Sequence, residues 1–147
     1  MATAQFGRVI TAMITPFTED GAVDYESAVA LAKHLVAHGS EGLLVGGTTG
    51  EGATMTAEEK LKLYNLIVDA VGKRGEGKKV PVMGNIGTIS TADTIAFGNK
   101  AKETGIDCAL VIVPFYVKPN QEGMYQHFTA VAKGVDLPLV LYNVPGR

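Results

Sequence analysis

This 147-residue chain has one cysteine, no apolar run long enough to span a bilayer, and no surplus of basic residues. Each shortage excludes something. A lone Cys108 cannot form an internal disulfide and fits a reducing compartment. It lies in the apolar run Cys108–Val113, which predicts a buried structural thiol rather than an exposed nucleophile. With 13 Lys and Arg against 15 Asp and Glu, the net charge is −2, so nothing draws the surface to nucleic acid or an anionic membrane. The segment Met1–Phe6 has no basic stretch followed by a long apolar one, so a cytoplasmic location is the expectation. His34, His38 and His127 fall in helical segments and form no ligand cluster, so neither a metal site nor Ser-His-Asp chemistry is expected.

What is present is the composition of a folded domain: 46% hydrophobic and 19% charged residues. Short, continuous apolar runs predict strands at Val9–Thr15, Gly42–Val45, Val80–Gly84, Cys108–Val113 and Leu139–Asn143. Between them lie four helical patterns with start signals: Asp24 before Tyr25–His38, the capping box Thr56–Glu59, Ser90 before a helix to about Thr104, and Asn120. Ala28, Leu31, Ala32 and Leu35 share a face of the first helix. Leu61, Tyr64, Val68 and Val71 do so on the second, and Met124, Phe128, Val131, Ala132 and Val135 on the fourth. Gly39, Gly72 and Gly105 sit where helices should stop.

Strict βα alternation means a parallel α/β sheet. An open doubly wound sheet would announce a phosphate site in its first turn, yet Thr15–Ala22 carries none, and neither G-x-G-x-x-G nor G-x-x-x-x-G-K-[ST] occurs. A (β/α)8 TIM barrel is the better expectation. Such barrels take about 250 residues. Residues 1–147 are therefore expected to form the N-terminal half of one barrel domain, four βα units and a fifth strand, with an open edge at each end.

Barrel chemistry gathers at the C-terminal strand ends. Here those ends bring Thr15-Pro16, Gly46–Glu51, Asn85–Thr88, Pro114–Tyr116 and Tyr142-Asn143, rich in hydroxyls and backbone N–H groups. In Gly46-Gly47-Thr48-Thr49-Gly50, glycines let the backbone approach a small ligand while the threonines add donors suited to a carboxylate. A plain βα turn would read the same from this pentapeptide alone.

Together with Tyr142–Arg147, Pro114–Pro119, Gln121–Gly123 and Tyr125–Phe128, the loop resembles the dihydrodipicolinate synthase family of pyruvate-dependent Schiff-base aldolases. The resemblance implies condensation of pyruvate with aspartate semialdehyde in diaminopimelate and lysine synthesis, with no cofactor. It also implies a homo-oligomer, a dimer of dimers. By the same resemblance Thr49 holds the pyruvate carboxylate, and Thr48, Tyr116 and Tyr142 form a proton relay with Tyr142 as donor. Tyr116 reaches into the neighbouring subunit, and Arg147 organises the entrance for the second substrate's carboxylate. A free tyrosine has a pKa of about 10, so a lone one shuttles protons poorly at neutral pH. A hydroxyl chain passes a proton without stranding charge.

The resemblance puts the Schiff-base lysine on a sixth strand, beyond Arg147. Of the ten lysines here, only Lys118 is expected near the catalytic edge, in a hydrated loop, so these residues alone are expected to form no pyruvate adduct. The family's lysine-feedback cluster is also altered: Phe115, Gly87–Ala92, Ala57 and Lys60 occupy its positions, which implies weak or absent inhibition by lysine. Two alternatives stand beside the synthase: a sister aldolase such as N-acetylneuraminate lyase or a keto-sugar-acid aldolase, and a non-catalytic half-barrel that self-associates. Thr48 before Thr49, and Arg147, favour the synthase.

Overall fold

Consecutive parallel pairing organises the molecule. The structure, a computed structural model, describes residues 6–146. Its elements are β1 (Ile10–Ala12), α1 (Tyr25–Ala37), β2 (Gly42–Val45), α2 (Ala57–Ala70), β3 (Val82–Asn85), α3 (Thr91–Glu103), β4 (Cys108–Ile112), α4 (Gln121–Gly134) and β5 (Leu139–Tyr142). The strands form one sheet in the order β1-β2-β3-β4-β5, all parallel.

That order separates the two candidate architectures. Every crossover steps to the next strand in the same direction. Right-handed crossovers stepping one way put all the helices on one face, as in a barrel wall, whereas a doubly wound sheet reverses direction and covers both. The packing agrees. Leu43, Val45, Val82, Ala109 and Val111 meet Ala28, Ala32, Leu63, Ile67, Phe97 and Val131 of the helices in the main core. The alternate strand residues point the other way, where Met83, Cys108 and Leu110 gather with Leu44 and Val140 in a small second cluster. The chain thus forms an arc of a (β/α)8 barrel, helices outside and this second cluster inside.

Each helix starts on the residue expected to cap it. Asp24 accepts from the Ser27 N–H at 3.0 Å, Ser90 from Asp93 at 3.2 Å and Asn120 from Gly123 at 2.8 Å. Thr56 and Glu59 exchange both bonds of a capping box.

Several expectations are corrected. β1 has three residues rather than seven, because an edge strand with β2 as its only partner among the described residues holds few ladder registers. β3 starts two residues late, since the Val80 N–H turns back to the Val71 carbonyl, and it extends to Asn85. Gly39 and Gly105 take the left-handed conformation, with φ of 109° and 86°. Gly72 does not; a β-carbon there would lie 2.9 Å from the Val68 Cα, so close packing explains the glycine. On α2 the buried face includes Leu63 and Ile67, and on α4 it includes His127 while Ala132 is exposed. Cys108 is fully buried, as expected.

Candidate active site

The loop after β2 is built around the Gly46 carbonyl. Gly46 has φ of +65°, and a β-carbon on Gly52 would lie 1.9 Å from the Gly46 oxygen. Only glycine lets the loop fold back so closely. Backbone bonds close the turn: Glu51 N–H to Thr48 O and Gly52 N–H to Gly47 O, each 3.1 Å. Two side chains tie the loop to its neighbours. The buried Thr15 hydroxyl, after β1, donates to the Gly50 carbonyl at 2.7 Å. Asn85, at the end of β3, donates from Nδ2 to the Gly46 carbonyl at 3.0 Å.

Beneath Asn85, Tyr64 of α2 is fully buried, and its hydroxyl donates to the Asn85 carbonyl at 2.7 Å. Burial drives its pKa upward, so the hydroxyl is a fixed neutral donor.

Above these anchors opens a cavity of about 660 Å³ at the C-terminal edge of the sheet. Thr48, Tyr116 and Tyr142 line it, from the ends of β2, β4 and β5. Tyr116 is 78% exposed and projects from the surface, whereas Tyr142 is 38% exposed. Among the described residues no hydrogen bond joins these three side chains. Thr49, expected beside a carboxylate, is exposed and is not among the lining residues. Arg147 lies outside the described residues.

Lys118, the lysine expected near the catalytic edge, does not line this cavity; Lys60, expected on a helix and at a position of the feedback cluster, does. Its Nζ sits 4.7 Å from the centroid of the Phe97 ring, and burial lowers its pKa. Its position in the first turn of α2, just after the glycine loop, was the available signal. Asn85 also lines the cavity, and its place at the end of an apolar strand was the corresponding clue. Thr88, Ile89 and Phe115 line the same space, so the positions expected to bear on feedback adjoin those expected to bear on chemistry. No group of His, Cys, Asp or Glu among the described residues could hold a metal, and no helix among them is long and apolar enough to cross a membrane.

Comparison with known proteins agrees with this geometry. The model of the dihydrodipicolinate synthetase family matches residues 5–147. The 4-hydroxy-tetrahydrodipicolinate synthase of Symbiobacterium thermophilum is 56% identical over 142 residues, covering 97% of this chain and 47% of that protein. The crystal structure of dihydrodipicolinate synthase from Bacillus anthracis superposes with a TM-score of 0.90 at 45% identity, covering 97% of this chain and 47% of that one. That of the Acinetobacter baumannii enzyme complexed with pyruvate gives 0.88 at 40% identity, covering 95% and 46%. The chain thus spans about half the length of the relatives it matches. With a family model matched over nearly its whole length and a glycine loop facing the β5 tyrosine across one cavity, the chain belongs to the dihydrodipicolinate synthetase family.

Proposed function

We propose that these residues supply one arc of a 4-hydroxy-tetrahydrodipicolinate synthase, which condenses pyruvate with aspartate semialdehyde. The observation that carries the reading is that Thr48 and Tyr142, from β2 and β5 with two strands between them, line a single cavity. In this reading a lysine amine, outside these residues by the family resemblance, adds to the pyruvate ketone and expels water to give an imine. Loss of a methyl proton gives the enamine, whose carbon attacks the semialdehyde's carbonyl carbon.

The groups of this chain bind and move protons. Thr49 and the loop N–H groups hold the pyruvate carboxylate. Tyr142 delivers the proton to the departing hydroxyl, and Thr48 links it to Tyr116 of a neighbouring subunit. The exposure of Tyr116 supports a role across a subunit boundary. Arg147 meets the carboxylate of the second substrate. The expected oligomer is a dimer of dimers, and the expected compartment is the cytoplasm.

The test uses the native source polypeptide. Pyruvate with aspartate semialdehyde should be consumed together, and N-acetylneuraminate should not be cleaved. Turnover of the sugar acid without condensation would move the assignment to a sister aldolase. Tyr142→Phe should lower kcat by about 10²-fold or more, as loss of a positioned proton donor does.

A further inference from the structure

We infer that Asn85 is a positioning residue that clamps the Gly46–Gly52 loop and thereby sets how well this site holds a small α-keto acid. The kinetic part of this inference rests on the synthase reading; the structural part does not.

The loop needs an outside anchor. Glu51, a non-glycine residue, takes φ of +52°, a left-handed conformation that costs about 1–2 kcal/mol. Its closing bonds are local and span only three to five residues. A turn that stores such strain persists only where its surroundings over-determine it. The two attachments to other strands are Thr15 on the Gly50 carbonyl and Asn85 on the Gly46 carbonyl.

Of the two, Asn85 is the one that lines the cavity. Its side chain joins two loops at once. Nδ2 donates to Gly46 O at 3.0 Å, after β2, and Oδ1 accepts from the Gly87 N–H at 3.3 Å, after β3. The amide can face only one way. Reversed, its oxygen would oppose the Gly46 carbonyl and its NH2 would oppose the Gly87 N–H. Neither aspartate nor alanine can make both bonds. Aspartate is nearly the same shape and keeps the acceptor for Gly87, but it sets a carboxylate oxygen against the Gly46 carbonyl.

The backbone of Asn85 is itself held, because Tyr64 donates to its carbonyl from inside the core. Tyr64 reaches that point because Gly46 and Gly84 leave room: β-carbons there would approach its hydroxyl to 2.9 Å and its ring to 3.0 Å. Position is therefore transmitted from a fully buried ring, through Asn85, to the carbonyl two residues before Thr48.

The experiment compares the source polypeptide with its Asn85→Asp and Asn85→Ala variants. Amide hydrogen exchange is followed over the Gly46–Gly52 loop and over the core strands, and pyruvate KM is measured beside kcat. Both variants should speed loop exchange about tenfold, as the loss of one anchoring hydrogen bond does, with protection in β2 and β4 unchanged. Pyruvate KM should rise by a similar factor, more than kcat falls. Unchanged loop exchange overturns the inference. So does an equal rise in the core strands, which would make Asn85 merely a stability residue, and so does faster loop exchange with an unaltered KM. If the unaltered polypeptide shows no condensation at all, the synthase reading fails, and the exchange data alone decide whether the clamp exists.

Discussion

The hydroxyl of Tyr64 donates to the carbonyl of Asn85 at 2.7 Å through a slot whose two walls, Gly46 and Gly84, carry no β-carbon. The contact couples the helix layer to the cavity at the C-terminal edge of the sheet. Its removal tests how much of the site depends on it. Tyr64→Phe keeps the ring and loses one buried hydrogen bond, so a stability loss of about 1 kcal/mol is expected. Gly52→Ala should be worse, because the added carbon would meet the Gly46 carbonyl, a backbone atom that cannot step aside. A loss of about 3 kcal/mol is expected there, in the upper range for overpacking. Urea denaturation measures both. A Gly52→Ala variant as stable as the parent would mean that the loop has another conformation available.

Thr15 offers a second test of the same loop. Its hydroxyl is buried and donates to the Gly50 carbonyl, while valine would match its shape without the donor. Thr15→Val leaves a buried carbonyl unpaired, which costs about 1–3 kcal/mol. Thr15→Ser should recover most of that loss. A stable Thr15→Val beside an unstable Thr15→Ser would show instead that the methyl group rather than the bond is the important part.

Cys108 sits on the concave face between Met83 and Leu110, fully buried. Burial, and secondarily the neighbouring Asp107 charge, push its thiol up to about 12. Only the thiolate reacts, so a thiol reagent at pH 8 should leave the folded chain unmodified and label it on denaturation. Labelling of the native chain at a rate near that of a free thiol would show that the inner face opens readily.

Much of this was legible in the sequence, for reasons that differ by element. The strands were clear because residues buried on both faces read as continuous apolar runs, and the helix starts because Asp24, Thr56, Ser90 and Asn120 each carry an acceptor three residues before a free N–H. The barrel reading followed from alternation and from the absence of a phosphate loop. What sequence could not give was distance between elements. Lys60 reads as a helix residue at a feedback position, and only the packing of α2 against β3 and α3 shows that it reaches the same cavity as Thr48 and Tyr142. Asn85 reads as a strand end, since its bond to Gly46 spans 39 residues. His127 reads only as a helix residue outside any ligand cluster, since its partner Thr91 lies 36 residues away.

His127 is buried, with Nδ1 2.8 Å from the Thr91 hydroxyl, the edge of its ring against Phe128, and Nε2 without a partner among the described residues. Burial lowers its pKa from the ordinary value. The folded chain therefore holds the ring neutral where the unfolded chain protonates it. Its contribution to stability is intact above the unfolded pKa of about 6.5 and is lost as pH falls toward the folded value. His127→Phe should remove that part of the acid slope, at most about 1.4 kcal/mol per pH unit. Denaturation midpoints at a series of pH values below 7 provide the measurement. An identical slope in the variant would show that another group causes it.

Lys60 sharpens the question of the nucleophile. It is the one lysine among the described residues that lines the cavity, and burial lowers its pKa, which favours the free amine. The Phe97 ring beneath its Nζ opposes this by stabilising the ammonium ion. Imine formation also needs an acid and a base placed at the carbonyl carbon, and Lys60 is hydrogen-bonded to none of Thr48, Tyr116 or Tyr142. Borohydride treatment of the 147-residue chain with labelled pyruvate should therefore leave its mass unchanged. Label on Lys60, abolished in Lys60→Arg, would instead make this arc sufficient for the first covalent step and would overturn the assignment of that step to a later strand.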